Sequence, residues 1–243
     1  MAEFDIKLAD LTFHINSVYN TPQRICKDYL IDERGEHEIV LTQENIDLER
    51  LKVMSDSPGV DPSLRTSPDP HLETIALLRK LADCCSLNNR ILMHGSSIAV
   101  DGNGYIFTAV SGTGKSTHTA LLRNLLGDRA VMVNDDKPFL YVTDDQIYVC
   151  GSPWMGKHSL GNNMMVPLKG IFFLRRSEEN VLKSMSAYDA LPLLIAQCHR
   201  PEDQLMMLNT LDMMDKILSK VALYDFGCNM DPSAAVLSSS VMK

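Results

Sequence analysis

The chain has 243 residues, of which 45% are hydrophobic and 22% charged, and its formal net charge is −8. This length and composition are ordinary for a globular protein that buries a full core in one large domain, or in one domain beside a smaller unit. The acidic balance excludes a generally basic surface for nucleic acid or for an anionic membrane, so any positive charge that binds phosphate must be local.

The sequence also predicts a cellular location. No apolar run approaches the roughly 18 residues that a membrane helix needs, and acids stand near the N-terminus where a signal peptide is basic and then apolar. Six cysteines without C-x-x-C spacing argue against a zinc cluster and fit unpaired thiols in a reducing compartment. We therefore expect a cytoplasmic protein without nucleic-acid or membrane partners.

The first 70 residues predict a small α+β region. Alternation of apolar and polar residues indicates strands, and an apolar run after a capping residue indicates a helix. The predicted elements are strands within residues 4–18, two short strands within 29–42, and a helix over 42–54 capped by Thr42 or Asn45. A linker rich in Pro, Ser and Asp follows at 55–71, and we place the domain boundary after residue 70.

Residues 71–243 predict a larger α/β domain, in which helices and strands follow one another around a glycine-rich loop. Apolar residues at helical spacing mark its helices, and turn residues between apolar runs mark its hairpins. The expected helices lie at 72–85, 115–127, 187–198 and 201–221 and from residue 232, and the expected strands at 90–100, 105–110, 129–135, 168–176 and 222–226, with a hairpin at 139–151.

The glycine-rich loop itself is typical of phosphate-binding loops. It reads Ser111-Gly112-Thr113-Gly114-Lys115-Ser116-Thr117, and Ala109 stands where the Walker A pattern G-x-x-x-x-G-K-[ST] has its first glycine. The glycines allow successive backbone N–H groups to turn towards phosphate oxygens. Lys115 would place its charge on the β- and γ-phosphates of ATP, and the Ser116 hydroxyl would ligate Mg²⁺. The alternative is an ordinary glycine turn, which the flanking strand and helix disfavour.

Two carboxylates follow at the end of the next predicted strand. This buried strand reaches Asn134 and continues into Asp135 and Asp136, where both carboxylates can turn towards the loop. One could bind Mg²⁺, with Asp135 and Ser116 as candidate ligands, and the other could accept the proton of an attacking hydroxyl. Which of the two aspartates is the base stays open. The alternative to a functional role for the pair is a solvated acidic turn.

The segments MHGSSIAVDGNGYIFTAVSGTGKST (93–117) and VMVNDDKP (131–138) resemble the catalytic domain of bacterial HPr kinase/phosphorylase. The loop and the aspartate pair also resemble ATP-dependent phosphoenolpyruvate carboxykinase, which shares that nucleotide-binding core. The resemblance implies an α/β fold with this P-loop core, ATP phosphates on Gly112 to Ser116, and Mg²⁺ near Ser116 and the aspartate pair. It also implies that one aspartate is the general base and that His94 lies close to the transferred phosphate. A packed core or turn histidine is the alternative for His94.

Residues 151–164 depart from that family. HPr kinases have a later glycine-rich loop of the form E-I-R-G-x-G, whereas the corresponding region of this chain reads GSPWMGKHSLGNNM and contains its only tryptophan. Trp154, Lys157 and His158 are candidate contacts to the acceptor substrate, and a surface loop whose tryptophan packs on the core is the alternative. Whether HPr is the acceptor, and whether the reverse reaction, phosphorolysis, takes place, therefore stays open.

Together these features predict an ATP- and Mg²⁺-dependent kinase that transfers the γ-phosphoryl group to a hydroxyl, either of a protein serine or of a small metabolite. The alternative is a non-catalytic nucleotide-binding sensor or assembly module, which the intact lysine, serine and aspartates disfavour. Decarboxylation of a keto acid ranks last because the chain is short for a carboxykinase. Arg175 and Arg176, at the end of a predicted strand, would offset transition-state charge or form surface ion pairs. A homo-oligomer and the role of the N-terminal region stay open.

Overall fold

The computed structural model describes residues 2–55 and 62–242, and it shows a mixed α/β protein. The chain divides into two compact units, Met1–Cys84 and Cys85–Lys243. Residues 56–61 of the predicted linker lie outside the described residues.

The described residues of the first unit form a mixed sheet and three α-helices. Its strands are β1 (Ala2–Leu8), β2 (Leu11–Ser17), β3 (Leu30–Ile31) and β4 (His37–Val40), and its helices are α1 (Thr21–Ile25), α2 (Gln43–Met54) and α3 (Asp69–Ser86), the last of which ends two residues into the second unit. In the described part of this unit, the strand order is β3-β1-β2-β4, with β1 and β2 antiparallel and β4 parallel to β2. The two short strands predicted within 29–42 therefore lie on opposite edges of the sheet and do not pair with each other.

Two features of the first unit bear on the predicted boundaries. Both predicted capping residues contribute to α2, because the Thr42 N–H donates a 3.0 Å hydrogen bond to Asn45 Oδ1. The buried Glu73 of α3 accepts hydrogen bonds from the backbone N–H groups of Val18 and Tyr19, at 2.5 and 3.0 Å. These bonds attach α3 to the end of β2, and the division between the compact units falls in the last turn of this helix, whereas the sequence placed a boundary before it.

The second unit is built on a large sheet. Its strands are β5 (Arg90–Leu92), β6 (Ser96–Val100), β7 (Asn103–Thr108), β8 (Ala130–Asn134), β9 (Phe139–Val142), β10 (Ile147–Cys150), β11 (Met165–Arg176), β12 (Val181–Ser184) and β13 (Ala222–Cys228). Its helices are α4 (Lys115–Leu126), α5 (Ala187–Gln197), α6 (Gln204–Lys220) and α7 (Ser233–Ser239). Among the described residues the strand order is β5-β9-β10-β11-β7-β6-β8, and β13 pairs with both β11 and β12. The pairs β11–β7 and β11–β13 are parallel.

The long strand β11 separates two layers of the core. Its residues Ile171 and Phe173 belong to the cluster that contains buried residues of α5 and α6. Phe172 and Leu174, which alternate with them, belong to the cluster that contains buried residues of α4 and α7. Both faces of this strand are therefore covered, as its continuous apolar sequence predicts.

The prediction of one strand over residues 90–100 is wrong. The structure has two strands, because the backbone leaves the sheet between Met93 and Gly95. The N–H of His94 donates to the Gln197 carbonyl at 2.7 Å, and the N–H of Gly95 donates to the Asp136 carbonyl at 3.1 Å. These bonds hold His94 beside the aspartate pair instead of in a sheet ladder.

Candidate functional site

The predicted phosphate loop connects β7 to α4, between Thr108 and Lys115. Gly112 has φ +79° and Gly114 has φ +119°, and a Cβ added at either position would meet nothing within 4 Å. Glycine is therefore required here by backbone conformation and not by lack of space. The loop has the left-handed turns that the sequence predicts for its two glycines.

The N-terminus of α4 opens at this loop. Gly114 is its N-cap residue, and no side chain caps the helix. None of the described residues accepts a hydrogen bond from the backbone N–H groups of residues 114–117, and the side chains of Ser116 and Thr117 are exposed. Unpaired N–H groups at the positive end of a helix dipole are a general arrangement for binding anions in proteins.

The Lys115 side chain lies inside the loop. It is only 8% exposed, and its Nζ donates to the carbonyls of Ala109 at 3.0 Å and Val110 at 3.4 Å. Burial lowers the pKa of this ammonium, whereas the negative charges of Asp136 and Asp135 raise it. The two carboxylates thus lie within the electrostatic range of the loop lysine.

Asp135 is held by hydroxyl groups that the sequence analysis missed. The carboxylate is 6% exposed, and its Oδ1 accepts a 2.6 Å hydrogen bond from the buried Ser96 hydroxyl. Ser96 Oγ also lies 3.0 Å from the Thr119 hydroxyl, in the second turn of α4. A chain of buried polar groups therefore links Asp135 to the helix that follows the loop. Its only sequence signal is a pair of serines in an otherwise apolar strand.

Asp136, His94 and Lys137 form a second cluster, at the mouth of the site. Asp136 Oδ1 lies 3.1 Å from Lys137 Nζ and 3.5 Å from His94 Nε2, and all three side chains are about one-third exposed. Burial, followed by the positive charges of Lys137 and Lys115, lowers the pKa of His94 to about 4. His94 is therefore a neutral imidazole at neutral pH, and its Nδ1 lies 3.2 Å from Gln197 Oε1.

The loop at residues 151–164 packs against the aspartate segment. Asn134 Nδ2 donates to the Ser152 carbonyl at 3.0 Å, and the Ser152 hydroxyl donates to the Lys137 carbonyl at 2.6 Å. Gly156, with φ +68°, lies so close that an added Cβ would be 3.3 Å from Asp136 Cβ. The structure therefore brings this loop to the aspartate pair.

The three predicted acceptor contacts differ in exposure. Trp154 is partly buried, and its Nε1 is buried without a hydrogen-bond partner among the described residues. Lys157 and His158 are exposed and directly follow Gly156, which lies close to Asp136.

The two arginines at the end of β11 have different partners. Arg175 Nε lies 3.0 Å from Asp225 Oδ1 in an exposed ion pair. Arg176 Nη2 donates a 2.6 Å hydrogen bond to the carbonyl of Gly112 in the loop.

The residues of the site fit Mg²⁺ as part of a metal–nucleotide complex. Magnesium takes oxygen ligands, usually one or two protein side chains completed by phosphate oxygens and water, and the Ser116 hydroxyl and the two carboxylates are such ligands. Among residues 2–55 and 62–242, no group of three or more His, Cys, Asp or Glu side chains could hold a metal ion. Within the same residues, no helix is both long enough and apolar enough to cross a bilayer.

Comparison with known proteins assigns no family to this chain. The sequence matches no protein-family profile, and no curated protein matches it. Among solved structures, the HPr(Ser) kinase/phosphatase from Coxiella burnetii is similar over 62% of this chain and 87% of its own, with 12% identity and a TM-score of 0.37. So low a TM-score supports no inference about activity, and function has to be inferred from the residues of the site.

Proposed function

We propose that this protein is a cytoplasmic ATP- and Mg²⁺-dependent kinase that transfers the γ-phosphoryl group to a hydroxyl. The main support is one arrangement: the buried Lys115, at the N-terminus of α4, interacts electrostatically with Asp135 and Asp136, and Ser96 links Asp135 to Thr119 of the same helix. Free N–H groups and a lysine bind phosphate, and carboxylates supply metal binding and a base. A phosphoryl-transfer site needs these three components together.

The phosphate chain of ATP would bind at residues 111–117. The N–H groups of the first turn of α4 would donate to phosphate oxygens, and Lys115 would exchange its bonds with the Ala109 and Val110 carbonyls for the β- and γ-phosphates. Ser116 and Asp135 would hold Mg²⁺, which neutralises charge on the phosphates when it is bound.

The environments of the two carboxylates favour different roles. Asp135 is buried and oriented by Ser96, which suits a fixed metal ligand. Asp136 is partly exposed at the mouth of the site, which suits a base that must reach an incoming hydroxyl. In the proposed step Asp136 takes the hydroxyl proton, the acceptor oxygen bonds to the γ-phosphorus, and the bond between that phosphorus and ADP breaks. Neutral His94, beside Asp136, would hydrogen-bond the carboxylate or the transferred phosphate.

The acceptor would bind at the loop formed by residues 151–164. Gly156 of this loop lies close to Asp136, and the exposed Lys157 and His158 directly follow it. Trp154 would line the pocket for the acceptor. The acceptor is a protein serine or the hydroxyl of a small metabolite.

Thermal-shift measurements with ATP, GTP and pyrophosphate, each with and without Mg²⁺, test the binding step. We expect Mg²⁺-dependent stabilisation by ATP that is lost in Lys115→Ala. No stabilisation by any of these ligands would overturn the proposal.

The transfer step requires a separate measurement. Cell extracts and metabolite mixtures, incubated with γ-phosphate-labelled ATP, would be screened for labelled products. Asp135→Asn and Asp136→Asn should abolish labelling, and Asp136→Asn should leave ATP binding largely intact. Nucleotide binding without transfer to any acceptor would instead identify a sensor or assembly module.

A further inference from the structure

Strand β11 extends beyond its neighbour β7 at the end that faces the loop. Phe173 pairs with Thr108, the last residue of β7, and β11 then continues through Leu174 and Arg175 to Arg176. The chain after Thr108 turns into the glycine-rich loop at the same edge. The last residues of β11 are thereby placed beside the loop by strand register alone.

The two adjacent arginines point in different directions, as consecutive strand residues do. Arg175 turns towards β13, where Nη2 lies 3.2 Å from Asp225 Oδ2 and Nε lies 3.0 Å from Oδ1. Arg176 turns towards the loop and donates from Nη2 to the Gly112 carbonyl at 2.6 Å. Among the described residues, no carboxylate forms an ion pair with Arg176.

This difference matters because Lys137 and Lys115 already have partners within the site. Lys137 pairs with Asp136 at 3.1 Å, and the buried Lys115 is bound to carbonyls inside the loop. A guanidinium has five N–H donors in a fixed plane, and the bond to Gly112 uses one of them. The remaining donors of the exposed Arg176 are available to a ligand at the loop, and guanidinium binds phosphate oxygens with two parallel hydrogen bonds.

We propose that Arg176 is a second cationic phosphate-binding residue of this site. One of its N–H groups holds the loop at Gly112, and the others donate to non-bridging oxygens of the phosphate chain of the bound nucleotide. This inference rests on the proposed nucleotide site and adds a residue from another strand to it. The acidic chain, with a net charge of −8, makes a further local cation important for a multiply charged ligand.

Arg175 provides a matched control, because it is adjacent, exposed and of the same type, but pairs with Asp225. The dissociation constant of MgATP would be measured by isothermal titration for the wild type, Arg176→Gln, Arg176→Lys and Arg175→Gln. We expect Arg176→Gln to weaken binding by about tenfold to a hundredfold, because a charge-assisted contact is lost. Arg175→Gln should stay within about twofold, as exposed ion pairs contribute little.

Arg176→Lys separates a direct contact from an effect on loop shape. It keeps the charge but not the planar fork, so its affinity should lie between those of the wild type and Arg176→Gln. Equal losses in the two Arg176 variants would assign the effect to loop geometry and overturn the direct contact. Equal affinities of Arg176→Gln and Arg175→Gln would overturn it as well, while leaving the kinase proposal intact. Failure of the wild type to bind MgATP would overturn both proposals.

Discussion

The hydroxyl of Ser96 donates a 2.6 Å hydrogen bond to the carboxylate of Asp135, and both side chains are buried. This bond fixes one oxygen of the carboxylate that we assign to the metal. Ser96 acts through Asp135 and is therefore a positioning residue. Removal of the donor leaves a buried carboxylate with one hydrogen bond fewer, which costs free energy and releases its orientation.

Ser96→Ala should therefore lower the free energy of unfolding by about 1–3 kcal/mol and raise the Mg²⁺ concentration needed for half-maximal stabilisation by ATP. Ser97→Ala is the control, because this neighbouring buried serine donates at 3.0 Å to the Asn134 carbonyl instead. Urea unfolding gives the first quantity, and a thermal-shift titration of Mg²⁺ at fixed ATP gives the second. If both variants change the Mg²⁺ requirement equally, Ser96 does not act through Asp135.

Gly114→Ala and Gly102→Ala are a second variant and matched control. Gly102, in the turn between β6 and β7, has φ +83°, and neither glycine has an atom within 4 Å of an added Cβ. Alanine at either position should cost about 1–2 kcal/mol of backbone strain. Only Gly114→Ala should also lose the stabilisation by MgATP, because Gly114 is the N-cap residue of α4, whose first N–H groups would donate to the phosphates. Loss of that stabilisation in Gly102→Ala too would mean that strain anywhere in this unit prevents binding.

The stability of the protein should depend on pH through the buried His118 and the partly buried His94. Burial lowers the pKa of His118 from its ordinary 6.5 to about 4. Burial and the positive charges of Lys137 and Lys115 also lower the pKa of His94 to about 4. Between these values the unfolded chain binds more protons than the folded one. The stability is therefore complete above about pH 6.5 and declines as the pH falls towards 4, by up to about 1.4 kcal/mol per pH unit for each histidine.

The contribution of His118 can be measured on its own. This side chain is 2% exposed, lies between the rings of Phe107 and Phe226, and has its Nε2 2.9 Å from the Ser238 hydroxyl. His118→Gln should make the acid decline about half as steep as in the wild type, as measured by urea unfolding between pH 4 and 7. An unchanged slope would contradict a neutral buried His118.

Local sequence signals predicted the elements that depend on local interactions. The Asp101-Gly102 turn between β6 and β7 has positive φ at both residues, as its sequence requires. Thr42 caps the N-terminus of α2, and Gly127 follows the last residue of α4. In each case the residues that decide the conformation lie within a few sequence positions of the turn or helix end that they determine.

The features that sequence could not predict depend on distant partners. The break between β5 and β6 arises because the N–H of His94 binds the carbonyl of Gln197, which is 103 residues away along the chain. Ser96 contacts Asp135 from 39 residues away, and Arg176 contacts Gly112 from 64. No local pattern encodes such pairs, so the motif named the main residues of the loop but not those that support them.

The single tryptophan should report nucleotide binding. The backbone N–H of Trp154 donates to the Ser152 hydroxyl at 3.3 Å, and that hydroxyl donates to the Lys137 carbonyl, next to Asp136. A ligand that draws Lys137 or Asp136 towards its phosphates would shift this segment and change the surroundings of the indole. We therefore expect MgATP to change the tryptophan fluorescence of the wild type and leave that of Lys115→Ala unchanged. If calorimetry shows binding while the emission stays constant, the loop at residues 151–164 does not respond to the nucleotide, and its proposed role at the acceptor site loses support.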